Sequence, residues 1–341
     1  MCKLSICILG GTGFVGTRLV SRLIREGHRV TVLTRNRELH KHLLVLPGLT
    51  LLDCDVYDAG ALSEHFRGQD VVINLVGILN ERWFGGDGFR RAHTELTRGV
   101  LQACRSAGVG RLLQMSSLKA DLDAPSHYLR SKAEAEKIIR EQAGDVDWTI
   151  FKPSVIFGPG DSFLNRFAAM LALIPLVFPL ARPQARFQPV FVDDVIAAMV
   201  RCLRGGACSR QTYELGGPHQ YTLRQVVELV ASLNHRRRWI MGLPDPLGRL
   251  QAFFMNFVPG RPFSSDNYKS LTVDSVCATQ GFSMLGITPQ AMPGVARTYL
   301  GSFEDNARLS ECRGRSGGRS GERVGERSAG REAAAASTLQ R

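Results

Sequence analysis

Short apolar runs alternate with amphipathic segments along the first half of the chain. The runs predict six strands, at residues 4–9, 29–33, 50–53, 71–76, 111–116 and 147–151. Hydrophobic residues at helical spacing predict helices near 14–26, 60–67, 88–107 and 128–142. Strands that alternate with helices form a parallel sheet covered on both faces, and right-handed crossovers place a ligand at the carboxyl ends of the strands. The pattern therefore predicts an α/β fold with a Rossmann-type doubly wound parallel sheet.

The second half of the chain is strongly apolar over residues 163–181, with Pro175 and Pro179 inside the stretch. Its unbroken run, 167–181, has fifteen residues, whereas a membrane-spanning helix needs about 20. One interpretation is a helix followed by a loop that lines a substrate lobe, and the other is an apolar entrance for a ligand. Residues 188–191 predict a further strand, and Asp193 and Asp194 can cap the helix that follows it.

A basic cluster precedes an amphipathic segment near residue 250. Residues 235–239 read His-Arg-Arg-Arg-Trp, and four apolar side chains beyond them fall on one helical face. These are Leu247, Leu250, Phe254 and Phe257. The combination is typical of a helix that lies on an anionic membrane, but the same face can also pack on the core with the arginines in solvent. Both interpretations stay open.

Length and composition indicate how the chain is divided. It has 341 residues, 44% of them hydrophobic and 22% charged, and a formal charge of +12. We predict a Rossmann domain at 1–155 and a smaller C-terminal α/β substrate lobe at 156–303, some of whose segments return to the Rossmann sheet. Residues 304–341 form an Arg/Gly/Ser/Ala-rich tail that we expect to be disordered. The basic charge is scattered and has no aromatic platform, so we expect no specific nucleic acid partner.

Cysteine usage favours a reducing compartment. The eight cysteines form no C-x-x-C pair and no cluster with histidine at zinc spacing, so we predict no metal site. Several lie in apolar runs, as buried thiols do. The first strand is predicted to begin near residue 3, so we expect no signal or transit peptide. We therefore expect a cytoplasmic protein.

A glycine-rich turn joins the first strand to the first helix, with Gly10, Gly13 and Gly16 in the spacing G-x-x-G-x-x-G. Glycine lets the backbone approach a pyrophosphate or adopt a positive φ, and the helix start offers N–H groups and partial positive charge. The strand–turn–helix context predicts a bound dinucleotide, against the alternative of an ordinary βα turn without a ligand. The predicted contacts are Gly10, Thr12, Gly13, Phe14, Val15 and Gly16.

The end of the second strand indicates which dinucleotide binds. NAD-binding chains usually have Asp or Glu here for the ribose 2′-OH, whereas this chain has Thr34 followed by Arg35 and Arg37. Guanidinium groups suit a 2′-phosphate, so NADP(H) is favoured over NAD(H), the alternative being that both arginines are only solvated loop charges. After the third strand, Asp55 and Val56 lie either at the adenine edge or in a loop that the carboxylate closes.

Candidate chemistry follows the fourth and fifth strands. Val76 and Gly77 bring small groups to the sheet edge where the nicotinamide-side ribose would lie. Tyr128 and Lys132 are four residues apart on one helical face, and an ammonium beside a phenol lowers the pKa of the phenol. Such a tyrosine can exchange a proton during hydride chemistry while Ser116 holds the substrate oxygen. The alternative is that Tyr128 and Lys132 only hold the cofactor ribose.

Several motifs resemble the extended and atypical short-chain dehydrogenase/reductases of the NAD-dependent epimerase/dehydratase superfamily. They are G-G-T-G-F-V-G at 10–16, Y-x-x-S-K at 128–132, K-P-S-V-I-F-G-P at 152–159 and F-V-D-D-V at 191–195. Stretches at 94–97, 124–126, 131–136, 213–218, 243–247 and 286–289 further resemble bacterial relatives of the NADPH-binding accessory subunit of respiratory complex I. The resemblance covers about residues 3–300. It implies a tightly held NADPH, with Pro153 and Val155 among its contacts.

The resemblance leaves two functions open. Only twelve positions separate Ser116 from Tyr128, fewer than in extended dehydrogenases and epimerases, whose reactive Ser or Thr aligns nearer to Leu118. We expect a cofactor-stabilised accessory or assembly factor linked to complex I or quinone metabolism. The alternative is an active NADPH-dependent reductase, epimerase or dehydratase on a hydrophobic carbonyl, quinone or nucleotide sugar. Its pocket would lie between residues 77–90, 154–190 and 210–220.

The expected partners follow from these two functions. They are a dinucleotide, a hydrophobic or quinone-like ligand, and a membrane or respiratory complex that the protein contacts peripherally. The expected location is the cytoplasm or the inner face of the cytoplasmic membrane, where the basic and apolar segment near residue 250 would make a peripheral contact.

Overall fold

The computed structural model describes residues 3–81, 85–174, 176–236, 238–258 and 263–300. In these residues the strands are β1 (Ser5–Leu9), β2 (Arg29–Thr34), β3 (Leu49–Asp53), β4 (Val71–Asn74), β5 (Arg111–Met115), β6 (Asp147–Pro153), β7 (Ile156–Phe157), β8 (Val177–Ala181), β9 (Arg186–Phe187), β10 (Val190–Phe191), β11 (Gln211–Leu215), β12 (Tyr221–Thr222) and β13 (Trp239–Leu243). The predicted tail at 304–341 lies outside the described residues.

The helices alternate with these strands. They are α1 (Phe14–Arg25), α2 (Ala59–Phe66), α3 (Asp87–Phe89), α4 (Leu96–Ala107), α5 (His127–Gln142), α6 (Leu164–Leu173), α7 (Val192–Arg201), α8 (Leu223–Leu233), α9 (Asp245–Met255), α10 (Ser265–Ser270), α11 (Gly281–Met284) and α12 (Met292–Leu300). A π-helical turn, Arg90–Glu95, joins α3 to α4, and a 3-10 segment, Glu38–Val45, follows β2.

Seven parallel strands form the main sheet in the order β11-β6-β5-β4-β1-β2-β3. The strand order reverses beside β1, between β4 and β2, so the carboxyl ends of these strands surround the predicted ligand site. The predicted doubly wound fold is confirmed. β11 pairs with β6, so a segment from beyond residue 155 completes this sheet; the division into lobes at that residue stays a prediction.

Both faces of the sheet are buried, and β1 illustrates how. Ile6 and Ile8 point into one apolar cluster with α1, whereas Cys7 and Leu9 point into a second cluster on the other face with α4. Side chains alternate along a strand with period two, so a strand covered on both sides must be apolar throughout. This explains why the predicted strands appear as continuous hydrophobic runs.

The apolar stretch 163–181 differs from its prediction. It forms α6 and then a strand, β8, rather than a loop, because β8 pairs in parallel with β13, Val177 opposite Trp239. The predicted strand at 188–191 is reduced to Val190–Phe191. Neither aspartate caps α7, which begins at Val192; Asp194 instead accepts a hydrogen bond from Gln290 N at 2.7 Å.

The described cysteines are buried or half-buried free thiols: Cys7, Cys54, Cys104, Cys202, Cys208 and Cys277. Burial raises the pKa of Cys104 to about 12, which is unfavourable for a reactive thiolate. Over the described ranges, no three His, Cys, Asp or Glu side chains converge as metal ligands would. None of the helices in those ranges is long and apolar enough to cross a bilayer.

Candidate functional site

The fold requires two of the three glycines of the turn, Gly10 and Gly16, and leaves open space at the third, Gly13. Gly10 has a φ of +77°, and a Cβ there would lie 3.0 Å from Val76 N on the neighbouring strand end. A Cβ on Gly16 would lie 2.6 Å from Gly11 Cα, so α1 can approach the turn only without a side chain at this position. A Cβ on Gly13 would meet only Gly10 O, at 3.4 Å. The protein itself therefore tolerates a side chain at Gly13, and the open space beside it is available to a ligand.

The start of α1 presents unpaired N–H groups beside this turn. Gly13 N donates to Gly10 O at 3.1 Å, and Gly13 precedes α1 without a side-chain cap. No acidic residue lies in the first turn of the helix, so the backbone dipole is left for an anion. Thr12, Phe14 and Val15 are half-buried around it. The predicted pyrophosphate contacts are thus brought together at one helix end.

The end of β2 carries the predicted cofactor-selecting residues. Thr34 is buried, and Arg35 and Arg37 are exposed in the loop behind it. Asp53, at the end of the adjacent β3, accepts a hydrogen bond from Arg37 N at 2.6 Å. The sequence reasoning missed this carboxylate because Asp53 reaches the loop only through the pairing of Thr34 with Asp53.

Asp55 and Val56 follow β3. The Asp55 carboxylate accepts a hydrogen bond from Tyr57 N at 3.0 Å, as the loop-closing interpretation expects, and Val56 is buried. An adenine contact at these residues stays a prediction. β4 ends two residues earlier than predicted because the Asn74 side chain accepts a hydrogen bond from Val76 N at 3.1 Å and takes the chain out of the sheet.

Helix α5 carries Tyr128 and Lys132, and its start is fixed from two sides. Ser126 Oγ accepts a hydrogen bond from Leu129 N at 3.3 Å. From the C-terminal part of the chain, Asp266 accepts from His127 N at 2.8 Å and from Tyr128 N at 3.1 Å. Asp266 is separated from these partners by about 140 residues, so no local pattern points to it.

Lys132 is buried and donates to Met115 O at 3.1 Å. Burial lowers the pKa of Lys132 to about 8, against the opposing effect of Glu136. A Cβ at Gly77 would lie 3.2 Å from Lys132 Nζ, so the loop after β4 passes directly over the ammonium. The structure therefore brings together the predicted residues Gly77 and Lys132, where a ribose would need to lie.

The expected low pKa of Tyr128 is not found. Burial raises the pKa of Tyr128, and the Ser117 side chain lowers it by less. Lys132, which the sequence predicted to lower this pKa, is not among the groups that shift it, so desolvation of the phenolate dominates.

The structure does not bring the predicted Ser116 to Tyr128. Ser116 Oγ donates to Glu136 at 2.5 Å in a buried network that also contains Lys152 and Arg140. The side chain that lowers the pKa of Tyr128 belongs instead to Ser117, whose Oγ donates to Leu118 O at 3.4 Å. Adjacent residues leaving a strand point in opposite directions, so only one of the two serines can face the helix residue.

Leu118, two residues beyond Ser116, is hydrogen bonded to the end of β6. Leu118 is buried and its N–H donates to Pro153 O at 2.9 Å. Val155 O accepts a hydrogen bond from Val190 N at 2.9 Å, which ties the predicted cofactor contact to β10. Residues 82–84, which belong to the predicted pocket, lie outside the described ranges.

His93 is a site residue that the sequence reasoning missed. Its Nε2 accepts from Ile78 N at 3.1 Å, and its Nδ1 lies 2.8 Å from Ser131 Oγ. Ser131 Oγ already donates to Tyr128 O at 2.9 Å, so His93 Nδ1 must carry the hydrogen of the shared bond. Burial, with Lys132 nearby, lowers the pKa of His93 to about 2, and the ring is neutral.

The π-helical turn explains how His93 reaches both partners. A π turn inserts an extra residue into a helix and re-aims its side chains, and such turns are frequent at functional sites. Here the turn spans Arg90–Glu95 and directs His93 between the loop after β4 and helix α5. Hydrophobic periodicity does not reveal a single inserted residue, so the histidine itself is the one signal available in the sequence.

Comparison with known proteins adds family evidence to this geometry. The model of the NAD-dependent epimerase/dehydratase family matches residues 6–216. The mitochondrial NADH dehydrogenase (ubiquinone) 1 alpha subcomplex subunit 9 of Arabidopsis thaliana is 30% identical, with 86% of this chain and 76% of that protein covered. A ceramide reductase of Caulobacter vibrioides is 29% identical, covering 71% of this chain and 74% of that protein.

Solved structures agree on the fold. A dTDP-glucose 4,6-dehydratase from Streptomyces venezuelae, solved with NAD, superimposes with a TM-score of 0.68 at 20% identity, over 90% of this chain and 98% of that one. A UDP-glucuronic acid 4-epimerase from Bacillus cereus, also with NAD, gives 0.68 at 16% identity, over 87% and 99%. At these identities the likeness concerns the fold alone.

Proposed function

The chain belongs to the NAD-dependent epimerase/dehydratase family, and from this premise we propose that it is an NADP(H)-binding accessory or assembly factor of a respiratory or quinone-linked system. The cofactor acts mainly as a structural ligand that stabilises the fold. The protein works at the inner face of the cytoplasmic membrane, where it contacts a respiratory complex. Similarity to complex I subunits over most of the chain supports this proposal.

The observation that carries the structural role is Leu118. It is buried where the family resemblance expects a reactive hydroxyl, and Ser116 is held by Glu136 away from Tyr128. A protein with this arrangement can keep its cofactor site and still lack a hydroxyl at the expected place beside a substrate. The surrounding residues nevertheless fit a dinucleotide, since Gly13 leaves space at the helix start and Gly77 lies directly beside the Lys132 ammonium.

Cofactor occupancy is the direct test of this proposal. Gly13→Asp adds bulk and negative charge next to a pyrophosphate, while the protein around it has room for the side chain. The variant should lose NADPH binding in calorimetry and lose the thermal stabilisation that NADPH gives the parent. Gly110→Asp is a matched control, because Gly110 also lies in open space but at the opposite end of the sheet. Unchanged NADPH affinity in Gly13→Asp would reject the site.

The choice of dinucleotide is tested at the end of β2. Replacing Arg35 and Arg37 by Ala should reduce the preference for NADPH over NADH about tenfold, or about 1.4 kcal/mol. Arg29→Ala is the control, since Arg29 is exposed at the start of the same strand. Equal affinities of the parent protein for NADPH and NADH would contradict the proposal.

A second candidate function is an active NADPH-dependent reductase for a hydrophobic carbonyl or quinone. The effect of the Ser117 side chain on the pKa of Tyr128 favours it, because it indicates one hydroxyl near the phenol that would hold the proton. Bound NADPH would supply the hydride. NADPH oxidation should then appear with some member of a panel of quinones, ketones and nucleotide sugars, and Tyr128→Phe should abolish it while Gly110→Asp does not. Absence of turnover across the panel favours the structural role.

A further inference from the structure

Helix α9 buries its small residues and exposes its large ones. Gly248 and Ala252 are the buried positions, and a Cβ at Gly248 would lie 3.3 Å from Ala181 Cβ on β8. Four large apolar side chains on the helix are between 49% and 61% exposed; they are Leu247, Leu250, Phe253 and Phe254. Phe257 follows them just beyond the helix end and is 66% exposed. We name these five residues the α9 face.

The α9 face is a continuous stripe. With 100° between successive residues, its members span roughly 120° of the helix circumference, and Gly248 and Ala252 lie on the opposite side. The ring of Phe253 contacts both Phe254 and Phe257, with centroids 5.8 Å and 5.4 Å apart. The side of α9 that carries Gly248 and Ala252 therefore contacts β8, and the side that carries the large apolar residues faces outward.

The exposed apolar surface continues past the end of α9. Gly248 lies beside Ala181 while Gln251 Nε2 donates to Pro179 O at 3.0 Å, so α9 runs antiparallel to β8. Its carboxyl end therefore points toward the start of β8, where exposed Leu176 accepts a hydrogen bond from Trp239 N at 3.0 Å. Trp239 is 70% exposed. Aromatic side chains at such a border suit the interface between water and lipid.

The charge of this region identifies the partner. Residues 235–262 contain five arginines and one aspartate. One of these arginines, Arg249, lies on α9 next to the exposed face and is paired with Asp245 at 2.9 Å. A net positive segment beside a Leu/Phe stripe is complementary to an anionic surface with an apolar interior. Two copies that met through this face would bring the same positive charge together, which opposes self-association.

We propose that the α9 face is the surface by which this protein lies on an anionic lipid bilayer. The helix lies in the plane of the membrane, with its phenylalanines among the upper acyl chains and the flanking arginines at the lipid phosphates. The inference rests on the proposed function for a peripheral membrane location but not for cofactor binding. It specifies the surface and the lipid charge that this location requires.

Flotation of the full chain with vesicles tests the proposal. The parent should float with phosphatidylglycerol-containing vesicles, less with pure phosphatidylcholine, and progressively less as salt rises. The double variant Leu250→Ser/Phe254→Ser should bind the anionic vesicles at least tenfold more weakly with an unchanged thermal midpoint. The control is Leu39→Ser/Val45→Ser, the same chemical change at side chains 72% and 80% exposed in the 3-10 segment after β2. It should bind as the parent does.

The readouts separate this proposal from the cofactor proposal. Leu250→Ser/Phe254→Ser should keep its NADPH affinity, and Gly13→Asp should still float. Flotation by the α9 variant equal to that of the parent, or an equal loss in both double variants, would overturn the docking surface. A parent dimer in sedimentation that the α9 variant dissociates would assign the face to a second copy, and vesicle binding insensitive to lipid charge and salt would remove the electrostatic part.

Discussion

Helices α1 and α9 obey the same sequence pattern with opposite results. Each has an apolar stripe and each rests a glycine, Gly16 or Gly248, against a neighbouring segment. α1 buries its stripe against the sheet, with Leu19, Val20 and Leu23 fully covered. α9 leaves its Leu/Phe stripe in solvent. An amphipathic pattern thus predicts that one face will be covered, but the covering partner can be the chain's own sheet or something outside the chain.

The comparison predicts its largest effect at the two glycines. Gly16→Ala should prevent stable folding or cost about 3 kcal/mol or more, because the new Cβ would overlap backbone atoms that cannot move independently. Gly248→Ala should cost about 1 kcal/mol or less, since its tightest contact, at 3.0 Å, is the ring edge of Tyr268. Urea unfolding of both variants measures this. Equal losses would mean that α9 is held as rigidly as α1.

The next effect separates buried from exposed stripes. Leu23→Ala should destabilise the protein by about 3 kcal/mol through lost burial and a residual cavity. Phe254→Ala should change stability by less than about 0.5 kcal/mol, because its side chain is largely in solvent. Thermal unfolding without lipid is the measurement. A large loss in Phe254→Ala would show that α9 is covered in solution, and the docking surface would then have to lie elsewhere.

The sequence predicted the α1 region well because its determinants are local. Six strands and the four helices among them lie within a few residues of their predicted limits. The early end of β4 has a local cause, the hydrogen bond from Val76 N to the Asn74 side chain. The second half was predicted less well because several of its strands, β7, β9, β10 and β12, are only two residues long. A strand of that length is too short to show a period-two pattern in the sequence.

In the candidate site, too, the local motifs were predictable and the long-range contacts were not. The glycine turn, Tyr128 and Lys132 were predictable because each motif lies in one short segment. Ser117 replaced Ser116 beside Tyr128 because the direction of a side chain depends on where a strand ends. His93 and Asp266 were missed because their roles come from partners 15 to 139 residues away. Sequence reasoning thus located the backbone of the site and left its side-chain contacts undetermined.

Acid should weaken the α1 side of the molecule through His93. The folded-state pKa of His93 is about 2, against 6.5 for the free group. Below about pH 6.5, His93 binds a proton in the unfolded chain but stays neutral in the folded one. The free energy of unfolding therefore falls by about 1.4 kcal/mol for each unit by which the pH is lowered. His93→Gln keeps an acceptor for Ile78 N and removes this slope. Urea unfolding between about pH 6 and pH 4 measures it.

The control for that experiment is His219→Gln, the same change at an exposed histidine. Hydrogen exchange at low pH should show the segment around β4 and α5 opening before α9. Parallel pH profiles for His93→Gln and the parent would contradict the neutral, buried assignment of His93.

The smallest effect is expected at the start of α5, which is stabilised both by a local cap and by a residue from the α9 region. Ser126 caps it locally, and Asp266 reaches it from α10, which Tyr268 connects to α9 through Asp245. Ser126→Ala and Asp266→Ala should each cost about 1 kcal/mol, and Asp266→Asn about half of that, because one oxygen acceptor remains without its charge. The two alanine changes act on adjacent N–H groups of one helix end, so their double variant should deviate from additivity. Urea unfolding of the four variants measures the cost and the coupling. A silent Asp266→Ala beside a costly Ser126→Ala would mean that the α9 region only touches α5, and membrane contact at α9 could then have no mechanical route to Tyr128.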